Sequence, residues 1–274
     1  MQLGIFAKTF TATTPVVTLG AARAAGYDAV QYNMACSGLS SMPDEVPDGV
    51  ANEVRAAADG SGVAVVALSA TYNMIHPDPT VRRRGHERLR VLAGTARTIG
   101  TGLLTLCTGS RDPDDQWRAH PDNGSSEAWT DLLASMETAL QIAENYDLLL
   151  GIEPEFANVI DSAVKARRLI DTLGSPRLKV VLDPANLFEV ETKDRQRVIV
   201  ASAVALLADR IVLAHAKDRD AQGGFVAAGT GVLDYDHYLR CLEAAGFNGA
   251  LVTHGLAAEQ AAGVGGFLRA RLAG

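Results

Sequence analysis

Residues 147–188 read DLLLGIEPEFANVIDSAVKARRLIDTLGSPRLKVVLDPANLF and carry the clearest structural pattern of the chain. It contains two short apolar runs, residues 148–152 and 178–182, separated by a segment of helical length. Short continuous apolar runs on either side of a helix are typical of buried parallel strands in a βαβ unit. Each run ends in an acid followed by proline, which cannot donate to a strand ladder. The stretch therefore predicts two neighbouring parallel strands, each with a carboxylate at its C-terminal end.

The same alternation continues along the whole chain of 274 residues. The predicted strands lie at residues 3–6, 29–32, 63–69, 103–107, 148–153, 178–183, 211–215 and 250–253. Each precedes a predicted helix. The helix after the fifth strand is expected at 158–173, and the last helix is expected from 258. Regular βα alternation with this count predicts an α/β protein of the (β/α)8 TIM barrel type. No linker or composition shift divides the chain, so residues 1–274 are predicted to form a single domain.

Composition excludes several classes of function. A net charge of −7 provides no basic surface for a phosphate backbone, so no nucleic-acid partner is expected. No apolar segment approaches the roughly 18 residues of a membrane span, so no membrane association is predicted. The first residues lack the pattern of a signal peptide. The three cysteines are far apart in the sequence, which predicts reduced thiols in a cytoplasmic protein and no cysteine-ligated zinc.

Polar residues follow the last four predicted strands. They are Glu153 and Glu155 after the fifth, Asp183 and Asn186 after the sixth, His215 and Lys217 after the seventh, and His254 after the eighth. On a barrel, strand ends of this kind meet at one mouth and form the active site. Carboxylates and imidazoles together suit a divalent ion such as Mn²⁺, Co²⁺, Mg²⁺ or Zn²⁺. The alternative is that each acid only caps the following helix. The repeated strand-acid-proline pattern favours a functional site.

The order of these motifs resembles the xylose isomerase-like TIM-barrel superfamily of sugar and sugar phosphate isomerases and epimerases. The motifs are EPE at 153–155, LDPAN at 182–186, AHAKD at 214–218 and GTG at 229–231. The resemblance covers nearly the whole chain. It implies that a Glu, an Asp, a His and a second Glu on successive strand ends hold one divalent metal, and Glu153, Asp183 and His215 match the first three. Asn186 stands where ketose 3-epimerases often have a substrate-contacting histidine.

The fourth ligand departs from the family pattern, because Thr253 and His254 stand where the second glutamate is usual. The resemblance implies that two metal-bound glutamates move a proton on opposite faces of the sugar while the metal stabilises an enediolate. Here His254 is either the fourth ligand, with Glu153 as the single base, or itself the second acid/base. A third reading is that the site binds metal weakly or not at all.

Further residues in loops at the barrel mouth are predicted to bind substrate. They are Lys8, His76, Arg111, Trp117, His120, Lys217 and Arg219, together with Glu155 and Asn186. The aromatic face of Trp117 suits the apolar face of a sugar. Lys217 and Arg219 suit a phosphate or carboxylate on the substrate. The glycines between residues 223 and 231 fit no dinucleotide fingerprint and are interpreted as a flexible loop.

The leading hypothesis is a divalent-metal-dependent sugar or sugar phosphate isomerase or epimerase acting on a small carbohydrate. One alternative is a lyase that dehydrates a keto-inositol, like inosose dehydratase, since the same carboxylate and metal geometry serves both reactions. Another is a non-catalytic or metal-free sugar-binding barrel. Abasic-site endonucleases of the superfamily need a histidine at position 186 and many more histidines than the six present, so DNA repair is excluded. Relatives suggest a homodimer or homotetramer.

Overall fold

The computed structural model describes residues 1–272. Eight parallel strands close into a barrel with the predicted sequential order. They are β1 (Gln2–Phe6), β2 (Ala29–Tyr32), β3 (Ala64–Ser69), β4 (Leu103–Cys107), β5 (Leu149–Glu153), β6 (Leu178–Leu182), β7 (Ile211–Ala216) and β10 (Ala250–Thr253). Two further strands, β8 (Asp218–Arg219) and β9 (Phe225–Val226), lie outside the barrel. The prediction of a single (β/α)8 TIM barrel is confirmed. The predicted domain boundary at residue 274 lies outside the described residues.

Eight helices surround the barrel. They are α1 (Pro15–Ala24), α2 (Val50–Ser61), α3 (Pro79–Ile99), α4 (Ser126–Asn145), α5 (Ala163–Leu173), α6 (Lys193–Leu207), α7 (Tyr235–Ala244) and α8 (Ala261–Leu272). Helix α3 illustrates how local chemistry sets the ends: the Asp78 side chain accepts the N–H of Thr80, and Gly100 follows the last turn with a φ of 111°. That left-handed conformation suits glycine. Among residues 1–272, no helix is both long and apolar enough to span a membrane.

The barrel closes where β1 pairs with both β10 and β2. Gly4 lies at this closure, and a Cβ atom there would be 3.0 Å from Val252 Cγ2 and 3.3 Å from the Ala29 carbonyl oxygen. A glycine therefore lets the two neighbouring strands approach. A small apolar cluster packs separately from the main core, and alternation along the strands places it inside the barrel, below the mouth. It consists of Ala67, Leu103, Val181, Leu213, Ala250 and Val252.

Helix α5 begins five residues later than predicted. The segment before it is a loop because Asn158 bonds to other loops instead of starting a helix. Its side-chain oxygen accepts the N–H of Gly109 at 2.7 Å, and its amide donates to the carbonyl of Gln116 at 3.2 Å. Ser162 then caps the helix by accepting the N–H of Lys165. The predicted last helix also divides, because Ala258–Gln260 form a 3-10 turn before α8.

The glycine-rich segment after β7 is not the predicted flexible loop. It contains a short antiparallel hairpin of β8 (Asp218–Arg219) and β9 (Phe225–Val226). The buried Asp218 carboxylate accepts backbone N–H groups of Gly229, Gly231 and Leu233 at 3.0 to 3.1 Å. One carboxylate thus fixes the segment that follows the hairpin, beside the barrel mouth.

Candidate active site

Four side chains converge at the C-terminal ends of the barrel strands. Glu153 ends β5, Asp183 follows β6, His215 lies on β7 and His254 follows β10. One possible ligand atom from each lies within 4.8 Å of all the others. We call these four residues the carboxylate–histidine cluster. Two carboxylates and two imidazoles form a donor set that fits a divalent ion such as Mn²⁺, Co²⁺ or Zn²⁺.

Asp183 is the fully buried centre of the cluster. Its Oδ2 atom lies 3.1 Å from Nε2 of His254 and 3.3 Å from Nζ of Lys217. Its Oδ1 atom accepts the N–H of Ala185 at 2.9 Å. Burial raises the pKa of Asp183, but the Lys217 charge and the His254 contact outweigh it and hold the pKa well below the usual range. Asp183 is therefore a carboxylate at neutral pH.

Glu153 is oriented by hydrogen bonds to its Oε1 atom. The amide of Asn186 donates to it at 2.7 Å, and Nδ1 of His215 lies 3.3 Å away. Lys217 donates to the oxygen of Asn186 at 3.1 Å and so fixes the amide orientation. Burial raises the pKa of Glu153, but the charge and hydrogen bond of His215 outweigh burial and lower it. Glu153 is therefore ionised and able to act as a ligand or a base.

His254 follows β10, the strand whose end is implied by the resemblance to carry a glutamate. Its ring centroid lies 4.5 Å from that of His215 and 6.5 Å from that of Phe6. Burial and the nearby His215 lower the pKa of His254 below its ordinary value. The imidazole is therefore neutral at pH 7, which is the form that binds metals.

Glu155 and Glu153 line the same cavity, but Glu155 is protonated whereas Glu153 is ionised. Burial, followed by the negative charge of Glu153, raises the pKa of Glu155 to about 8. At neutral pH it is therefore a carboxylic acid that can donate a proton. Two carboxyl groups only two residues apart are thus driven to different protonation states, as acid/base pairs require.

The cluster opens into a cavity of about 420 Å³, a size that suits a small ligand. Of the residues predicted to bind substrate, five line it: Lys8, Trp117, Glu155, Asn186 and Lys217. A second cavity of about 680 Å³ adjoins the first. Phe6, Lys8 and His254 line both.

Two predicted substrate-binding residues from the long fourth loop do not line this cavity. Arg111 is only 8% exposed and pairs with Asp131 of α4 at 2.8 Å, while it also donates to the Ile75 carbonyl at 3.1 Å. It therefore ties the loop to the helix layer. The ring of His120 accepts the N–H of Asp122 and caps a 3-10 turn.

His76 and Arg219 also lie outside the cavity. The His76 ring bonds to the Pro113 carbonyl at 2.9 Å and faces a different surface depression beside α3. Arg219 is buried and donates to the Ala185 carbonyl at 2.6 Å, with its guanidinium 4.0 Å from the Phe225 ring centroid. It fastens the hairpin to the loop after β6.

Sequence reasoning missed Gln31, which lines the cavity from β2. Its Oε1 atom lies 2.9 Å from Nε2 of His215, and its amide donates to Oγ1 of Thr105 on β4 at 3.0 Å. The signal was a single polar residue in the buried strand AVQY, residues 29–32.

The chain matches a known protein family. The family model of the xylose isomerase-like TIM barrel matches residues 19–266. The chain belongs to this family. The resemblance inferred from the motifs is confirmed, and a candidate metal-binding cluster lies at the ends of the barrel strands.

One protein similar in sequence and several proteins similar in fold are epimerases. The 2-epi-5-epi-valiolone 7-phosphate 2-epimerase of Actinoplanes sp. is 29% identical over 170 residues, 60% of this chain and 55% of that protein. The aligned region thus spans about half of the relative. The fold matches E. coli 3-keto-D-glucoside 4-epimerase with a TM-score of 0.78 and 16% identity, covering 98% of this chain and 99% of that one. It matches L-ribulose 3-epimerase with a TM-score of 0.78 and 17% identity, covering 99% and 94%.

Proposed function

We propose that this chain is a sugar isomerase or epimerase that moves a proton on a carbon next to a carbonyl group. The carboxylate–histidine cluster carries the proposal, because it combines two ionised carboxylates and a neutral imidazole at one cavity. The epimerase relatives support it. The substrate is a small carbohydrate, free or phosphorylated.

Glu153, Asp183, His215 and His254 would hold one divalent ion, since their donor types and mutual distances fit it. When bound, the ion supplies positive charge beside the carbonyl oxygen and lowers the cost of the negative charge that develops there. Asp183 remains ionised because Lys217 and His254 surround it. His254, as a neutral imidazole, serves as the fourth ligand in this proposal.

In this proposal the two glutamates of the EPE motif transfer the proton. Glu153 is ionised and oriented by Asn186, so it removes the proton next to the carbonyl. Glu155 faces the same cavity, and its pKa is raised to about 8 in the metal-free protein, first by burial and then by the charge of Glu153, so it is suited to return a proton. Lys8 and Trp117 contact the remainder of the sugar.

Metal content and proton exchange test the proposal together. We expect about one divalent ion per chain by elemental analysis after reloading, for the four-ligand site. With a panel of ketoses and ketose phosphates in D₂O, NMR should detect deuterium at the carbon next to the carbonyl.

Loss of metal in both Glu153→Gln and His254→Ala would identify His254 as a ligand. Loss only in Glu153→Gln would assign His254 to acid/base chemistry. A folded chain that takes up no metal and exchanges no proton would refute the proposal and favour a sugar-binding barrel.

A dehydratase is the second candidate, and the protonated Glu155 favours it. A neutral acid in the cavity could protonate a hydroxyl leaving from the carbon beyond the one that loses its proton. The substrate would then be a keto-inositol or related polyol ketone. Product NMR distinguishes the two reactions, because a lyase forms a carbon–carbon double bond and releases water, whereas an epimerase conserves the formula.

The raised pKa of Glu155 also predicts a pH-dependent stability in the metal-free protein. The pKa rises from an ordinary 4.5 to about 8 on folding, so the folded state binds more protons between these values. The contribution of Glu155 to the free energy of unfolding therefore falls as pH rises from about 5 to 8. We expect Glu155→Gln to remove this slope. The free energy of unfolding of the variant minus that of wild type should be larger at pH 8 than at pH 4.5, by on the order of 4 kcal/mol.

Urea unfolding in the presence of a chelator measures this difference at several pH values. Glu259→Gln is the matched control, because it makes the same exchange at an exposed position. The control should follow the wild-type profile. Parallel profiles for Glu155→Gln and wild type would contradict the assigned protonation state.

A further inference from the structure

We propose that Gln31 is a positioning residue that, backed by Thr105, keeps the proton of His215 on Nε2 and so leaves Nδ1 free to bind the metal. The inference rests on the metal site of the proposed function. It concerns a side chain on β2 that is 184 residues away in sequence from the histidine it contacts.

A buried chain of hydrogen bonds crosses the barrel interior. His215 on β7, Gln31 on β2 and Thr105 on β4 are 3%, 6% and 4% exposed. The His215–Gln31 contact is 2.9 Å and the Gln31–Thr105 contact is 3.0 Å. Neither contact is within one strand pair, so the bonds do not serve the sheet ladder. They connect one cluster residue to the opposite wall.

Of the two ring nitrogens of His215, Nδ1 faces the other cluster residues. Nδ1 lies 3.3 Å from Oε1 of Glu153 and 3.9 Å from Oδ2 of Asp183. Nε2 points away from both carboxylates, toward Gln31. When a metal takes the place of the Nδ1 contact with Glu153, Nδ1 needs a free lone pair, so the single proton of the metal-bound ring must be on Nε2. That N–H is buried and requires an acceptor, which the amide oxygen of Gln31 provides.

Thr105 anchors the far end of the Gln31 side chain by a hydrogen bond. If the Gln31 amide turned over, its NH₂ group would donate to Nε2 of His215 and place the ring proton on Nδ1. The proton would then oppose metal binding. In the observed orientation the NH₂ group donates to Oγ1 of Thr105, and the oxygen faces the histidine. Partners of this kind, one step removed from the metal, typically change metal affinity by about 10–100-fold.

Zinc affinity in a set of four variants tests the proposal. Gln31→Leu removes the acceptor and should weaken Zn²⁺ binding by about 10–100-fold in a chelator competition. Gln31→Glu should recover most of that loss, because a carboxylate oxygen accepts the N–H. Thr105→Val should show an intermediate loss. Gln116→Leu is the matched control, since it makes the same exchange in the same cavity wall. It should bind zinc like wild type.

NMR shows directly which ring nitrogen of His215 carries the proton and which one binds zinc. In ¹⁵N-histidine-labelled, zinc-loaded protein, long-range ¹H–¹⁵N spectra should show a proton on Nε2 of His215 and coordination through Nδ1. The signal is assigned by its loss in His215→Gln. In Gln31→Leu the protected Nε2 proton should disappear, while circular dichroism shows that the variant is folded.

The outcomes separate this inference from the proposed function. Coordination through Nε2 in wild type, or unchanged zinc affinity in Gln31→Leu, would overturn the role of Gln31 and leave the metal site intact. A folded wild-type protein that binds no zinc and takes up no other divalent ion would overturn the metal site, and this inference with it.

Discussion

Replacing Glu153 by glutamine should abolish the proposed activity with little change in the fold. Glutamine keeps an oxygen that can accept from the Asn186 amide, at present 2.7 Å from Oε1. It cannot accept a proton from a sugar carbon, and its neutral amide is a poor metal ligand. Loss of a general base typically costs about 10²–10⁴-fold in rate. We therefore expect proton exchange from the sugar to fall by at least that factor.

The measurement is the deuterium exchange rate with the best ketose substrate, at saturating metal. Saturation separates the two roles of Glu153, because a residue that served only as a ligand would be partly compensated by excess metal. Glu259→Gln again provides the control at an exposed position. Exchange in Glu153→Gln within about tenfold of wild type would remove Glu153 from the role of base.

The sequence predicted the barrel because its signals are local. The strands Ala29–Tyr32, Leu103–Cys107 and Ala250–Thr253 begin and end where their apolar runs predict. The same locality made Glu153 and Asp183 recognisable, since Glu153 is the last residue of β5 and Asp183 follows β6 directly. Their roles as metal ligands remain predictions, but their meeting at one point follows from parallel strands ending at the same edge.

Loop residues were harder to place because their partners are distant. Arg111 was predicted to bind substrate, yet it pairs with Asp131, a residue on a helix that begins after the loop. A basic side chain in a long loop carries no local mark of which acid it faces. Gln31 was missed for the same reason, as its meaning depends on His215. The β8–β9 hairpin was missed because each strand has two residues and the segment is fixed by Asp218 rather than by apolar alternation.

The second large effect concerns stability, and we expect it for Asp183→Asn. Asp183 is fully buried against Lys217, whose side chain is 8% exposed, at 3.3 Å. Asparagine can still accept the Ala185 N–H, so the turn after β6 is preserved. The change leaves the Lys217 ammonium buried without its countercharge. Breaking a buried pair in this way costs about 3–5 kcal/mol.

The sign of the pH dependence follows from the lowered pKa of Asp183. A carboxyl group whose pKa is lower in the folded state stabilises the protein above its unfolded pKa of about 3.9, and this contribution is lost as pH falls further. The loss of unfolding free energy in Asp183→Asn, relative to wild type, should therefore be complete at pH 7. It should shrink only in acid, where wild type loses the same contribution.

A double-mutant cycle with Lys217→Met measures the pair itself by urea unfolding at pH 7. If the cost of Asp183→Asn arises from an uncompensated Lys217 charge, removing that charge should recover much of the loss, so the two changes should not be additive.

Asp209→Asn is the control, because Asp209 pairs with Arg167 and Arg210 while its side chain is 61% exposed. Exposed pairs contribute about 1 kcal/mol or less. A double variant no more stable than Asp183→Asn alone would show that Lys217 is not the source of the cost. The stability of the mouth would then depend on Asp183 through its contacts with His254 and the turn after β6.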